Sequence, residues 1–227
     1  MNRLFQLTGL LVLTSPGFAG EVQGHAAITK RLTKKALSPV VYNLRGAAPT
    51  APSSAPAAAT NEFDEVVVIL EGGGNHSPAP PENITIDQKN VHFDPDLVIV
   101  PVGSTVQFPN SDPIFHNIFS LSKTQPFDLG FYPRGQSRTV KFTRSGVVQV
   151  YCHIHANMYA AIVVTSSPWY AKPAQDGSFD WKNVPQGHYK LTAWHKVAGY
   201  FKTDVDVPES GRVDAIIRIP VDVETSR

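Results

Sequence analysis

The chain of 227 residues carries 20 Lys and Arg against 19 Asp and Glu, a formal charge of +1, with a single cysteine, 19 prolines and 16 glycines. So even a balance excludes the basic surplus of a nucleic-acid binder, and a lone thiol excludes an internal disulfide, a zinc ribbon, an iron–sulfur cluster and a dinuclear copper centre. The length suffices for one large β domain or two ordinary ones, and a charged fraction of 17% with abundant Pro and Gly fits many short strands joined by turns.

Residues 1–19 read as an export signal. Arg3 supplies the positive start, residues 4–13 an apolar run of about ten, and Gly17-Phe18-Ala19 a small-x-small cleavage site. Cleavage is expected after Ala19, which leaves 19 charges of each sign and a periplasmic or extracellular protein. The apolar run falls short of the ~20 residues a bilayer helix needs, and no later segment reaches that length, so no membrane span is expected in the mature chain. An idle free thiol is a liability in an oxidising compartment, which points to Cys152 as a metal ligand.

Next, residues 22–29 read as a strand while residues 28–37 carry a weak helical pattern cut off at Ser38-Pro39, and the two readings compete. Residues 47–61 are Pro/Ala/Ser-rich without apolar periodicity and are expected to be a mobile loop. Residues 65–70 form a β-branched run of strand length closed by Gly72-Gly73-Gly74. From 84 to 164 the reading is almost purely β, with strands expected at 84–88, 97–100, 105–108, 118–121, 137–142, 147–152 and 160–164. Alternation in the sixth of these puts Val148, Val150 and Cys152 on one face and Val147, Gln149 and Tyr151 on the other.

Four more strands are expected at 178–181, 188–194, 202–207 and 212–219. Four strands make a poor independent sandwich, so their partners are sought upstream at 65–70 and 22–29. That assigns residues 80–168 to a first β domain inserted into a second, which is built from residues 20–71 and 172–227. The simpler alternative is a C-terminal sheet docked on the first domain.

The chemistry lies in two loops. Cys152, His155 and Met158 follow a strand in the order C-x-x-H-x-x-M, and His116 opens another strand upstream. Two imidazoles, a thiolate and a weak thioether are the ligand set of a mononuclear blue-copper electron-transfer site, because sulfur suits Cu(I), imidazole suits Cu(II), and one geometry serves both. Structural zinc sites use cysteine and histidine without methionine. Four protein ligands leave no open position for a substrate, so a carrier is favoured over an enzyme. Singly, each residue has a plainer reading: a buried Cys or Met as core filler, a histidine as a polar surface group. His153 follows Cys152 directly and faces away from it if the alternation persists, so it is read as a non-ligand.

In these residues the sequence resembles the small blue copper proteins, the cupredoxins, with the ligand spacing of amicyanin and pseudoazurin. The resemblance covers residues 84–164 and includes Phe93-Asp94-Pro95, Val102-Gly103-Ser104-Thr105-Val106 and His116-Asn117. It implies a Greek-key β-sandwich holding one type 1 copper ion near one end through His116, Cys152, His155 and axial Met158. It also implies that Asn117 ties the two ligand loops together near the sulfur and that His155 lies at the surface as the electron port. The sequence departs from the family at His153. The tail, with Asp176-Gly177-Ser178-Phe179 and Val184-Pro185-Gln186-Gly187-His188-Tyr189, resembles the carboxypeptidase-regulatory-like, transthyretin-like sandwich, and the whole arrangement is similar to exported chains labelled methylamine utilisation proteins.

The expected function is therefore single-electron transfer between a protein donor and a protein acceptor. Copper capture or delivery without redox turnover is the alternative, and a structural β module with a vestigial site the third. Docking is expected on an apolar surface around His155 made by Pro113, Ile114, Phe115, Ala156, Met158, Tyr159 and Ala160, with Asp112 the only formal charge nearby.

Overall fold

The computed structural model describes residues 19–29, 61–74 and 76–219. The expected signal segment up to position 18 and nearly all of the Pro/Ala-rich loop at 47–61 lie outside the described residues, as does most of the competing helix at 28–37. The described residues are all-β, apart from a single 3-10 turn at Glu62–Glu65. No helix among the described residues is long and apolar enough to cross a membrane.

In chain order the strands are β1 (Ala19–Ile28), β2 (Val66–Gly72), β3 (Asn83–Thr85), β4 (Asp87–Lys89), β5 (His92–Asp94), β6 (Leu97–Pro101), β7 (Thr105–Pro109), β8 (His116–Ser120) and β9 (Phe127–Tyr132). They continue as β10 (Ser137–Lys141), β11 (Gly146–Cys152), β12 (Tyr159–Thr165), β13 (Tyr170–Ala171), β14 (Ser178–Pro185), β15 (Gly187–His195), β16 (Gly199–Val207) and β17 (Arg212–Ile219). Two sheets, ordered β6-β12-β11-β8-β9 and β10-β7-β3, face each other. Between them lies a core that includes Phe93, Phe108, Ile118, Val148, Val150 and Ile162. Besides the sequential pairs β11/β12 and β8/β9, sheet neighbours are far apart in sequence, and β6 runs parallel to β12 as β3 does to β7, so the chain crosses between the sheets as in a Greek-key sandwich.

The remaining strands make two further sheets, β14-β1-β17 and β13-β2-β15-β16. Strand β1 lies between β14 and β17, antiparallel to one and parallel to the other, while β2 pairs with β15 over seven residues and with β13. The competition over residues 22–29 thus resolves to strand through Ile28. Gly24 is required there, since a Cβ would meet the Phe179 ring at 2.1 Å.

Strand β2 explains its own apolar run. Val66, Val68 and Leu70 enter the core shared with Val22, Trp181, Leu191 and Ile217, whereas Val67 and Ile69 point the opposite way. On that second face they meet Leu97 of β6, Ala161 and Val163 of β12, and Trp194 of β15. A strand covered on both faces reads as a continuous hydrophobic run instead of an alternation. Strand β12 behaves likewise: Ala160, Ile162 and Val164 fill the first core and Ala161 and Val163 the shared one. Lys196, nearly buried, joins the same contact from above, with its ammonium paired to Asp96 and 3.5 Å from Glu65, and 5.4 Å from the Tyr159 ring centre.

Candidate metal centre

Two strands deliver the site. In β11 the side chains of Val148, Val150 and Cys152 point into the core and Gln149 and Tyr151 away from it, as the alternation requires. Cys152 pairs with Ile118 of β8, which places the thiol beside the strand that begins at His116. After Cys152 the chain turns back, with the Met158 N–H donating to the His155 carbonyl at 3.0 Å, so that His155 folds over the strand end.

The result is a compact triangle. The His116 and His155 Nδ1 atoms lie 3.0 Å apart, and the Cys152 Sγ lies 3.7 Å from the first and 3.5 Å from the second. Metal bonds of about 2.0 Å to nitrogen and about 2.3 Å to sulfur in a trigonal arrangement give edges of about 3.5–3.7 Å, so the three donors fit around one ion with a few tenths of an ångström of opening. His116 and Cys152 are buried and His155 is half-buried. Among the described residues this is the one group of three such donors within reach of a common metal. Met158 is fully buried in the same core cluster as Cys152.

Asn117 is buried as well, and its contribution is mainly through the backbone. Its carbonyl accepts from the His153 N–H at 3.1 Å and so joins the two ligand loops, while its side-chain Oδ1 is buried without a hydrogen-bond partner. His153 lies off the triangle: its ring stacks on Phe119 at 3.8 Å between centres, and its Nε2 sits 3.7 Å from Asp128.

Sequence reasoning missed Asp112. Expected at the surface as a lone charge, it is 5% exposed and its Oδ2 sits 3.0 Å from the His116 Nε2. Its carboxylate also accepts from the backbone N–H groups of Asn90 at 2.6 Å and Val91 at 2.8 Å. Burial works to raise the Asp112 pKa, but the Val91, His116 and Asn90 hydrogen bonds outweigh it, and the carboxyl is held below its usual range. Burial lowers the His116 pKa, with the nearby His155 acting the same way and Asp112 opposing them, so the ring is kept neutral, as a metal ligand must be. The signal that could have found Asp112 is its position four residues before His116, but only the fold brings the 90–91 turn to it.

The expected apolar surface needs correction too. Met158 and Ala160 are core residues, fully buried. Ile114 and Phe115, before His116, are exposed as expected, and they are joined by Ile154, next to His155, and Phe131, which pairs with Asn117.

No protein-family model matches the sequence, and no curated protein matches it. Part of the chain is similar to solved structures. One is a copper-containing nitrite reductase (NirK) from Thermus scotoductus SA-01, at 24% identity over 42% of this chain and 24% of that one, with a TM-score of 0.35. Another is a reduced mutant amicyanin, at 18% identity over 43% of this chain and 98% of that one, with a TM-score of 0.35. A third is a purple cupredoxin from Nitrosopumilus maritimus, at 24% identity over 36% of this chain and 98% of that one, with a TM-score of 0.33. The chain spans about a quarter of the length of the nitrite reductase. At such TM-scores these likenesses add no weight to the strand order and side chains described above, on which the β-sandwich rests.

Proposed function

We propose that this chain is an exported mononuclear copper protein that carries single electrons between protein partners. The observation that carries the reading is the triangle of two imidazole nitrogens and one thiol sulfur, 3.0–3.7 Å apart at one end of a β-sandwich. A thiolate with two imidazoles, and a thioether to hand in Met158, suits copper in both oxidation states better than it suits zinc or iron. Copper held there would supply one-electron exchange. The protein's part is to keep His116 neutral, bury Cys152 away from water and oxidants, and leave an edge of His155 accessible. A rigid frame limits movement of the ligands between oxidation states, and His116 and Cys152 stand on strands β8 and β11, each paired with a neighbour on both edges, with His155 just after β11.

Residues 80–168 are proposed to form the copper unit, inserted into a second, transthyretin-like β unit made by residues 20–71 and 172–227. The pairing of β1 with β14 and β17, and of β2 with β13 and β15, supports this division. The protein's role is proposed as carrier and not enzyme, since four protein donors would leave a bound copper no open position for a substrate. Addition of Cu(II) to the metal-free protein tests the reading: one equivalent should produce an intense visible band, and reversible one-electron voltammetry should follow.

A further inference from the structure

The β4–β5 hairpin is joined by Asn90-Val91, and both residues have positive φ, 55° and 60°. A two-residue turn of this kind favours Asn followed by Gly. Asn90 suits it. Val91 does not, because a β-branched side chain in the left-handed region is a genuine outlier that persists only where its surroundings over-determine it. What determines it here is Asp112. The Asn90 N–H donates to one carboxylate oxygen and the Val91 N–H to the other, and that second oxygen is the one that faces the His116 Nε2. The hairpin is fastened to the same loop a second time, by the Ser111 N–H donating to the Gln88 carbonyl at 3.0 Å and the Ser111 hydroxyl donating to Asp87 at 2.7 Å. Asp112 is itself fixed, its N–H donating to the Asn110 Oδ1, while the Asn110 amide donates to the Ile114 and Tyr132 carbonyls.

We infer that the left-handed Asn90-Val91 turn is a positioning device for the metal site: its two backbone N–H groups clasp Asp112 so that the carboxylate fixes the tautomer and rotation of His116. An ionised carboxylate only accepts hydrogen bonds, so the hydrogen of neutral His116 must sit on Nε2. Nδ1 is then bare and its lone pair points at Cys152 and His155 before any metal arrives. The turn thus acts through its backbone, and the strained conformation at Val91 is retained for its N–H, not for its side chain. The inference rests on the copper reading for its purpose but not for its test.

The test uses full-length, uniformly 15N-labelled metal-free protein. Long-range 1H–15N NMR at neutral pH should show His116 as a single Nε2–H tautomer, with the Asn90 and Val91 amide protons shifted downfield and slow to exchange. Asp112→Leu removes both acceptor oxygens at similar volume; His116 should then populate Nδ1–H, both turn amides should move, and copper affinity should fall by about 10–100-fold. Val91→Gly keeps the N–H and removes the strained Cβ, so His116 should remain Nε2–H and the amide of residue 91 should stay downfield and slow to exchange. An Nδ1–H tautomer in the unsubstituted protein, or a tautomer unmoved by Asp112→Leu, would overturn the clasp, as would Val91→Gly behaving like Asp112→Leu. Should the unsubstituted protein show the Nε2–H tautomer yet bind no copper, the functional reading fails while the clasp stands.

Discussion

Trp194→Ala probes the contact that joins the two halves of the molecule. Trp194 is 5% exposed and lies among Val67, Ile69, Leu97, Ala161 and Val163, residues drawn from β2, β6 and β12. A buried tryptophan covers about 150–250 Å², which at about 25 cal/mol per Å² amounts to about 4–6 kcal/mol, and Trp→Ala changes in cores cost about 3–5 kcal/mol. With a urea dependence of about 2–3 kcal/mol per M, the unfolding midpoint should drop by about 1–2.5 M. The assay is urea unfolding followed by far-UV circular dichroism and by fluorescence of Trp169 and Trp181, which lie in the other core. In the unsubstituted protein the two probes should trace one transition; in the variant they should separate, since the shared core no longer couples the sheets. The copper spectrum of the folded variant should be unchanged, because the ligands occupy the opposite face of β11 and β12. A midpoint shift equivalent to less than about 1 kcal/mol would refute the shared core.

Acid should destabilise the metal-free protein. Burial lowers the pKa of both His116 and His195, so below pH 6.5 the unfolded chain takes up protons that the folded one refuses, and stability falls by up to about 1.4 kcal/mol per pH unit for each group. A further loss from Asp112, whose pKa is lowered on folding, should begin only below pH 3.8. A thermal midpoint that is flat from pH 7 to pH 5 would contradict the two histidine assignments. Lys196→Met removes an ammonium held between Glu65 and Asp96 and takes the counter-charge from Glu65, whose buried Oε2 has no hydrogen bond of its own; because Asp96 is half-exposed, the expected cost is about 1–3 kcal/mol, below that of a fully buried pair. An unchanged or higher melting temperature would count against the pair as an interface lock. Phe115→Glu and Ile154→Glu, at positions 55% and 50% exposed, should slow electron exchange with a protein partner by about tenfold without altering the copper spectrum. That rate should depend little on salt, and a collapse with rising ionic strength would place the docking site elsewhere.

What the sequence made legible follows from how local each signal is. Cys152, His155 and Met158 lie within seven residues on one loop, so their spacing carries the site almost alone, and His116 needed only a strand start. Strands such as β11 and β17 alternate strictly and are readable for the same reason. Strand β9 went unread because Asp128 and Gly130 interrupt its pattern, and as the edge of its sheet it buries little beyond Tyr132. Residues 84–88 were read as one strand, whereas the backbone breaks at Ile86 to let β3 join β7 and β4 turn into the hairpin with β5. The partner of the second face of β2, and the capture of Asp112 by the 90–91 turn, are contacts between distant segments that no window of sequence contains.

Metal-free protein and its Cys152→Ser variant are each taken with Cu(II) to one equivalent while the visible spectrum is recorded. An intense band should saturate at one copper per chain in the unsubstituted protein and be missing from the variant, since the Cys152 sulfur is its source. No band in the unsubstituted protein, or the same band in both, would contradict the copper reading.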